Sequence, residues 1–95
     1  MSLLSRFRRQ KEDPELARRR ALLAHGRIGE ATVLGVDEDA DGVATLSFDY
    51  TIAGVDYQSF QHLDAEQLSR RHDYLPGARV QLRYDPHRPS NSVVV

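Results

Sequence analysis

Ala44, Leu46, Phe48, Tyr50 and Ile52 alternate without a break with Thr45, Ser47, Asp49 and Thr51. An extended chain puts every second side chain on one face, so this stretch reads as a strand with one buried side. Ala53-Gly54 interrupts the pattern and Val55-Asp56-Tyr57-Gln58-Ser59-Phe60 resumes it. A two-residue loop sets Ile52 opposite Val55 and Tyr50 opposite Tyr57, which keeps the apolar groups on a common face. The tyrosines then point inward and Phe60 falls on the opposite side. Ala53 carries a positive φ in such a turn, a mild cost for a residue with a Cβ.

The rest of the chain is organised around this hairpin. Asp13-Pro14-Glu15 opens a helix: Asp caps the free N–H groups, Pro suits the first helical position, and Glu favours the positive end of the dipole. Strong helix formers follow through Ala24, and Gly26 is the expected stop, giving a helix at about 14–25. Ile28 to Val36 predicts a strand with Thr32, Leu34 and Val36 on one face, closed by an acidic turn over Asp37-Glu38-Asp39-Ala40-Asp41-Gly42. Leu63 to His72 predicts a short helix or coil capped by Asp64. Ala78, Val80, Leu82 and Tyr84 alternate with Arg79, Gln81, Arg83 and Asp85 as a fourth strand. Asp85-Pro86-His87-Arg88-Pro89 reads as a rigid turn, and Ser92-Val93-Val94-Val95 as a short last strand. The expected fold is mainly β: a small five-stranded, partly open barrel or a two-sheet sandwich. It carries an N-terminal α-helix and a short helix between strands 3 and 4. The expected division is a basic tail and helix over 1–26 and a β-domain over 27–95.

Ninety-five residues make one domain with a thin core and little room for an enclosed ligand cavity. With no cysteine, disulfides, thiolate metal sites and a Cys nucleophile are excluded. No run approaches the roughly 18–20 apolar residues of a membrane span, and Met1 to Arg9 lacks the apolar stretch of a signal peptide. The expected location is the cytoplasm, including the inner face of the membrane. The net charge of −1 hides an asymmetry. Residues 1–30 hold eight Arg/Lys against four acidic side chains, a balance of +4, and the remainder holds five against ten, a balance of −5. A basic head on an acidic body is a signal about partners.

Two stretches, Phe48-Asp49-Tyr50-Thr51-Ile52-Ala53-Gly54-Val55-Asp56-Tyr57 and Pro76-Gly77-Ala78-Arg79-Val80-Gln81-Leu82-Arg83-Tyr84-Asp85-Pro86-His87-Arg88-Pro89-Ser90-Asn91-Ser92, carry a resemblance. Together they resemble a large bacterial family of small β-domains of unknown function. Its members carry a Gly turn between two Tyr-bearing strands and, later, a Tyr-Asp-Pro-x-x-Pro-x-x-Ser-like turn. The resemblance covers roughly residues 27–95. It implies a small β-domain of a kind usually set beside transmembrane helices, and it supplies no catalytic residues. This chain departs from the pattern in having a basic helix where a membrane span would stand.

No motif carries convincing chemistry. Asp37-x-Asp39-x-Asp41-Gly42 matches the first half of an EF-hand loop, but Phe48 stands where the bidentate Glu belongs. An acidic hairpin tip, with weak calcium binding at most, is the expectation. His25, His62, His72 and His87 lack metal-site spacing, and no Ser lies in a nucleophile elbow. No catalytic residue, cofactor or metal is therefore expected. Arg79, Gln81 and Arg83, with Arg88 nearby, share a polar strand face that suits nucleic acid. Such grooves also need exposed aromatics, and the acidic body disfavours phosphate. Leu3, Leu4 and Phe7 with Arg6, Arg8, Arg9 and Lys11 form a short basic amphipathic patch suited to anionic lipid or a partner. The expected function is a non-enzymatic protein-interaction module, peripheral to the membrane through this patch and able to self-associate. An oligonucleotide-binding barrel using the strand-four arginines is the alternative.

Overall fold

The computed structural model describes residues 13–95. Helix α1 spans Pro14–His25, β1 Arg27–Glu38, β2 Ala44–Ile52 and β3 Val55–His62. A short α2, Ala65–Ser69, and a 3-10 turn, Arg71–Asp73, lead to β4, Arg79–Asp85, and β5, Arg88–Val94. The helix bounds follow from the caps. The Asp13 carboxylate accepts the Glu15 N–H at 2.8 Å ahead of Pro14. Asp64 and Gln67 form a reciprocal capping box on α2. Gly26 ends α1, although in an extended conformation (φ −71°) rather than a left-handed one. Glycine is needed there because a Cβ would stand 2.5 Å from the Leu22 carbonyl oxygen.

The five strands form one antiparallel sheet in the order β3-β2-β1-β4-β5, curled into a nearly closed barrel rather than a two-sheet sandwich. Four antiparallel pairings leave β3 and β5 pointing the same way at the seam. Buried side chains fill the interior: Leu46, Phe48 and Leu82 are fully inaccessible, with Val33 and Val94 close behind. The hairpin register matches the alternation, Tyr50 opposite Tyr57 and Ile52 opposite Val55. Tyr50 is buried and stacks between Phe48, at 6.0 Å, and Tyr57, at 5.2 Å. Ala53 has φ 51° and Gly54 φ 81°, so both turn residues are left-handed. Ala53→Asn replaces a residue that pays for this conformation with one that tolerates it. A gain of about 1 kcal/mol is expected, read as a higher urea midpoint at unchanged slope.

Two strand expectations need correction. Thr32, Leu34 and Val36 do not share one face: Thr32 lies opposite the outward Asp49 and Val36 opposite the inward Leu46. A bulge between Val33 and Gly35 shifts the register, so that Val33 is buried opposite Phe48 and Leu34 is exposed. The last strand begins at Arg88 rather than Ser92, and the turn before it is the pair Pro86-His87. Pro89 is tolerated because β5 is an edge strand that needs no N–H there.

The seam is closed by side chains. The buried Gln61 of β3 presents its carboxamide to Val94 of β5. Its Nε2 donates to the Val94 carbonyl at 3.0 Å, and its Oε1 accepts the Val94 N–H at 2.8 Å. The Gln67 Nε2 donates to the same carbonyl at 3.0 Å. Toward the other end, the Tyr50 hydroxyl donates to the Pro89 carbonyl at 2.6 Å. Helix α1 packs on β4 and β5 and straddles the gap. Arg18 donates to the Ser92 carbonyl at 2.8 Å on β5, and Arg19 to the His62 carbonyl at 2.7 Å on β3. Glu15 holds both guanidinium groups at 2.8–2.9 Å.

Candidate interaction surface

Strand alternation sends Thr45, Ser47, Asp49 and Thr51 of β2, and Asp56, Gln58, Phe60 and His62 of β3, to the outside of the barrel. None of these is Arg or Lys. Phe60 stands out, with 70% of its surface exposed. It lies opposite Ser47, which lies opposite Gly35 of β1. A Cβ on Gly35 would meet nothing within 4 Å, so this row is a shallow trough with a large aromatic at one end. The exposed Leu34, pushed out by the bulge, stands beside it. At the opposite end of the row pattern, Asp49, Thr51, Asp56 and Gln58 border a groove of about 370 Å³. The Thr51 hydroxyl donates to Asp56 at 2.6 Å. Tyr50 and Tyr57 also border this groove but belong to the core side of the same strands. Burial raises the Tyr50 phenol above its ordinary pKa, and its hydroxyl is spent on Pro89.

At the turn between β1 and β2, one Asp39 carboxylate oxygen accepts the N–H groups of Asp41 and Val43, both at 2.9 Å. Glu38 pairs with Arg71 at 2.6 Å. Among the described residues, no group of three or more His, Asp or Glu is placed to hold a metal ion. A second groove, of about 380 Å³, separates α1 from the turn between β4 and β5, with His25, Asp85 and His87 on its walls. The Asp85 carboxylate accepts the His87 N–H at 2.9 Å.

The strand-four arginines do not form one open row. Arg79 pairs with Glu30 at 2.8 Å. Arg83 is partly buried beside the end of α1, donating to the Gly26 carbonyl at 3.2 Å. The α1 arginines are committed as well. Hydrogen bonds from Arg18 lead the causes that hold the Glu15 carboxyl down at about 2. Part of the basic head thus fastens the helix. Leu3, Leu4, Arg6, Phe7, Arg8, Arg9 and Lys11, the residues expected to meet lipid or a partner, lie outside the described residues. The polar side chains that sequence reasoning missed are Gln61 and Gln67. Both left a signal: Gln61 occupies an inward phase after Tyr57 and Ser59, and Gln67 stands three residues past the Asp64 cap.

A protein-family model described as a domain of unknown function (DUF3592) matches residues 24–95. No curated protein matches the chain, and no solved structure does.

Proposed function

The chain belongs to the DUF3592 family, and from that premise we propose that it is a non-enzymatic protein-interaction module, cytoplasmic and held at the inner face of the membrane by its basic N-terminal segment. Phe60 carries this reading: an aromatic side chain 70% exposed on an ordered strand is the kind of anchor that interfaces bury. The groups with shifted pKa values have structural employment. Glu15 and Arg18 fasten α1, Arg70 pairs with Glu66, and the Tyr50 and Tyr74 phenols are raised by burial. Catalytic sites put such groups to chemical use instead.

The membrane part rests on Arg6, Arg8, Arg9 and Lys11 with Leu3, Leu4 and Phe7. A cation near an anionic leaflet contributes about 1 kcal/mol, so four give roughly 4 kcal/mol. That corresponds to about millimolar affinity, and the apolar side chains must insert to strengthen it. Co-sedimentation with anionic vesicles tests this. The full chain is expected to pellet at low salt and to remain in the supernatant at high salt or with neutral lipid. A variant carrying Arg6→Glu, Arg8→Glu and Arg9→Glu is expected to lose binding. Equal sedimentation of the variant and the parent removes the membrane part. The oligonucleotide-binding alternative draws on the barrel and its helix between β3 and β4. It is less well served by a β2–β3 face without cations and by arginines paired elsewhere.

A further inference from the structure

We propose that the outer face of β2 and β3 is a docking site for the chain's own N-terminal segment, residues 1–12, bound in cis. This goes beyond the module reading, because it makes the face and the membrane competitors for one segment.

Three observations carry it. The first is chemical complementarity. The face offers an exposed aromatic, Phe60, beside the shallow row of Ser47 and Gly35, next to a groove bordered by Asp49 and Asp56. Its outward side chains include no Arg or Lys, so nothing there neutralises the carboxylates from within the face. The segment carries the matching groups in close succession, Phe7 flanked by Arg6, Arg8 and Arg9, with Lys11 following. The second is position. Arg19, in the second turn of α1, touches the backbone of His62 at 2.7 Å. The His62 ring meets Thr45 on the outer face at 3.2 Å, two residues from Phe60. Asp13, six residues before Arg19, lies about 9 Å further along the helix axis. The chain ahead of Asp13 therefore starts within two helical turns of the residue that touches His62.

The third is reach. From His62 to Asp56 the strand covers roughly 20 Å, and twelve extended residues span up to about 40 Å. Arg6 and Phe7, seven and six residues ahead of Asp13, themselves reach up to about 20–25 Å, enough for the part of the face from Phe60 to Asp49, which lies opposite Gln58. A short tether also supplies an effective concentration of about millimolar, so contacts too weak to hold a free peptide are populated in cis. The attraction is between exposed charges, so salt weakens it.

The chain contains no cysteine, so Ser5→Cys gives a single attachment point for a nitroxide on the full-length protein. In the amide spectrum without lipid, signals of Ser47, Asp49, Gln58 and Phe60 are expected to lose intensity against the reduced label. The loss is expected to be largest there and to fall away across β1 toward Gln81 of β4, which lies opposite Glu30 and outside the Asp49–Thr32–Arg79 row. Adding Asp49→Asn and Asp56→Asn restores the lost intensity, and the unshifted remainder of the spectrum reports an intact fold. Intensity loss that is absent, or spread evenly over the surface, overturns the proposal. Mixing labelled protein with an isotope-enriched, unlabelled partner separates cis from trans: loss appearing in the mixture assigns the segment to a second copy and overturns docking in cis. Since no lipid is present, this result and the vesicle result fail independently.

Discussion

Phe48→Ala is expected to destabilise the domain by about 3–5 kcal/mol, a large share of the roughly 5–15 kcal/mol by which native domains are stable. Phe48 is fully inaccessible, sits opposite Val33 and Ser59, and stacks on Tyr50. Truncation removes the transfer free energy of a ring and leaves a cavity. The surrounding strands, held by their ladders, cannot collapse into it. Phe60→Ala provides the contrast: the same residue type twelve positions later, on the outer face, is expected to change stability by about 0.5 kcal/mol or less. Urea denaturation of both variants checks the pair, with the midpoint falling steeply for the first and hardly moving for the second. A similar loss in both would mean that the β2–β3 hairpin does not bury the face described above.

Gln61→Leu is the second large effect, about 2–3 kcal/mol. The substitution keeps bulk and removes both hydrogen bonds to Val94. The Val94 carbonyl retains Gln67, but its N–H loses the acceptor described for it at a buried position. An unsatisfied buried donor costs more than the net worth of the bond it made. Amide exchange at Val94 is the specific readout. It is expected to accelerate in Gln61→Leu more than at Val33, which keeps its bond to the Ala78 carbonyl. Uniform acceleration would instead report global destabilisation, and the carboxamide would lose its assigned role as closure of the seam.

Much of this architecture was legible because it rests on local rules. The Ala44 to Tyr57 register follows from a period of two and a turn that fixes its own length. The α1 bounds follow from Asp13-Pro14 at one end and the crowding at Gly26 on the other. The bulge was not legible, since Val33 and Leu34 are both apolar and either phase of β1 satisfies a pattern count. Pro89 misled for a related reason: a proline reads as a break until the edge position of β5 is known. Barrel over sandwich, and the closure through Gln61, depend on residues more than thirty positions apart, where sequence periodicity is silent. Of the candidate face, the exposed Phe60 was readable as the one aromatic out of phase with the core. The open row beside it was not, because Gly35 reached that row through the bulge.

The clasp of Glu15, Arg18 and Arg19 also has a mechanical side. Its two arginines reach carbonyls on β5 and β3 respectively, strands joined to each other by the Gln61 side chain rather than a ladder. Tension on the chain ahead of Asp13 is therefore shared between the covalent path through Gly26 into β1 and two side-chain contacts at the seam. An anchored N-terminus would thus pull on both margins of the seam, through Ser92 and His62, as well as on the sheet.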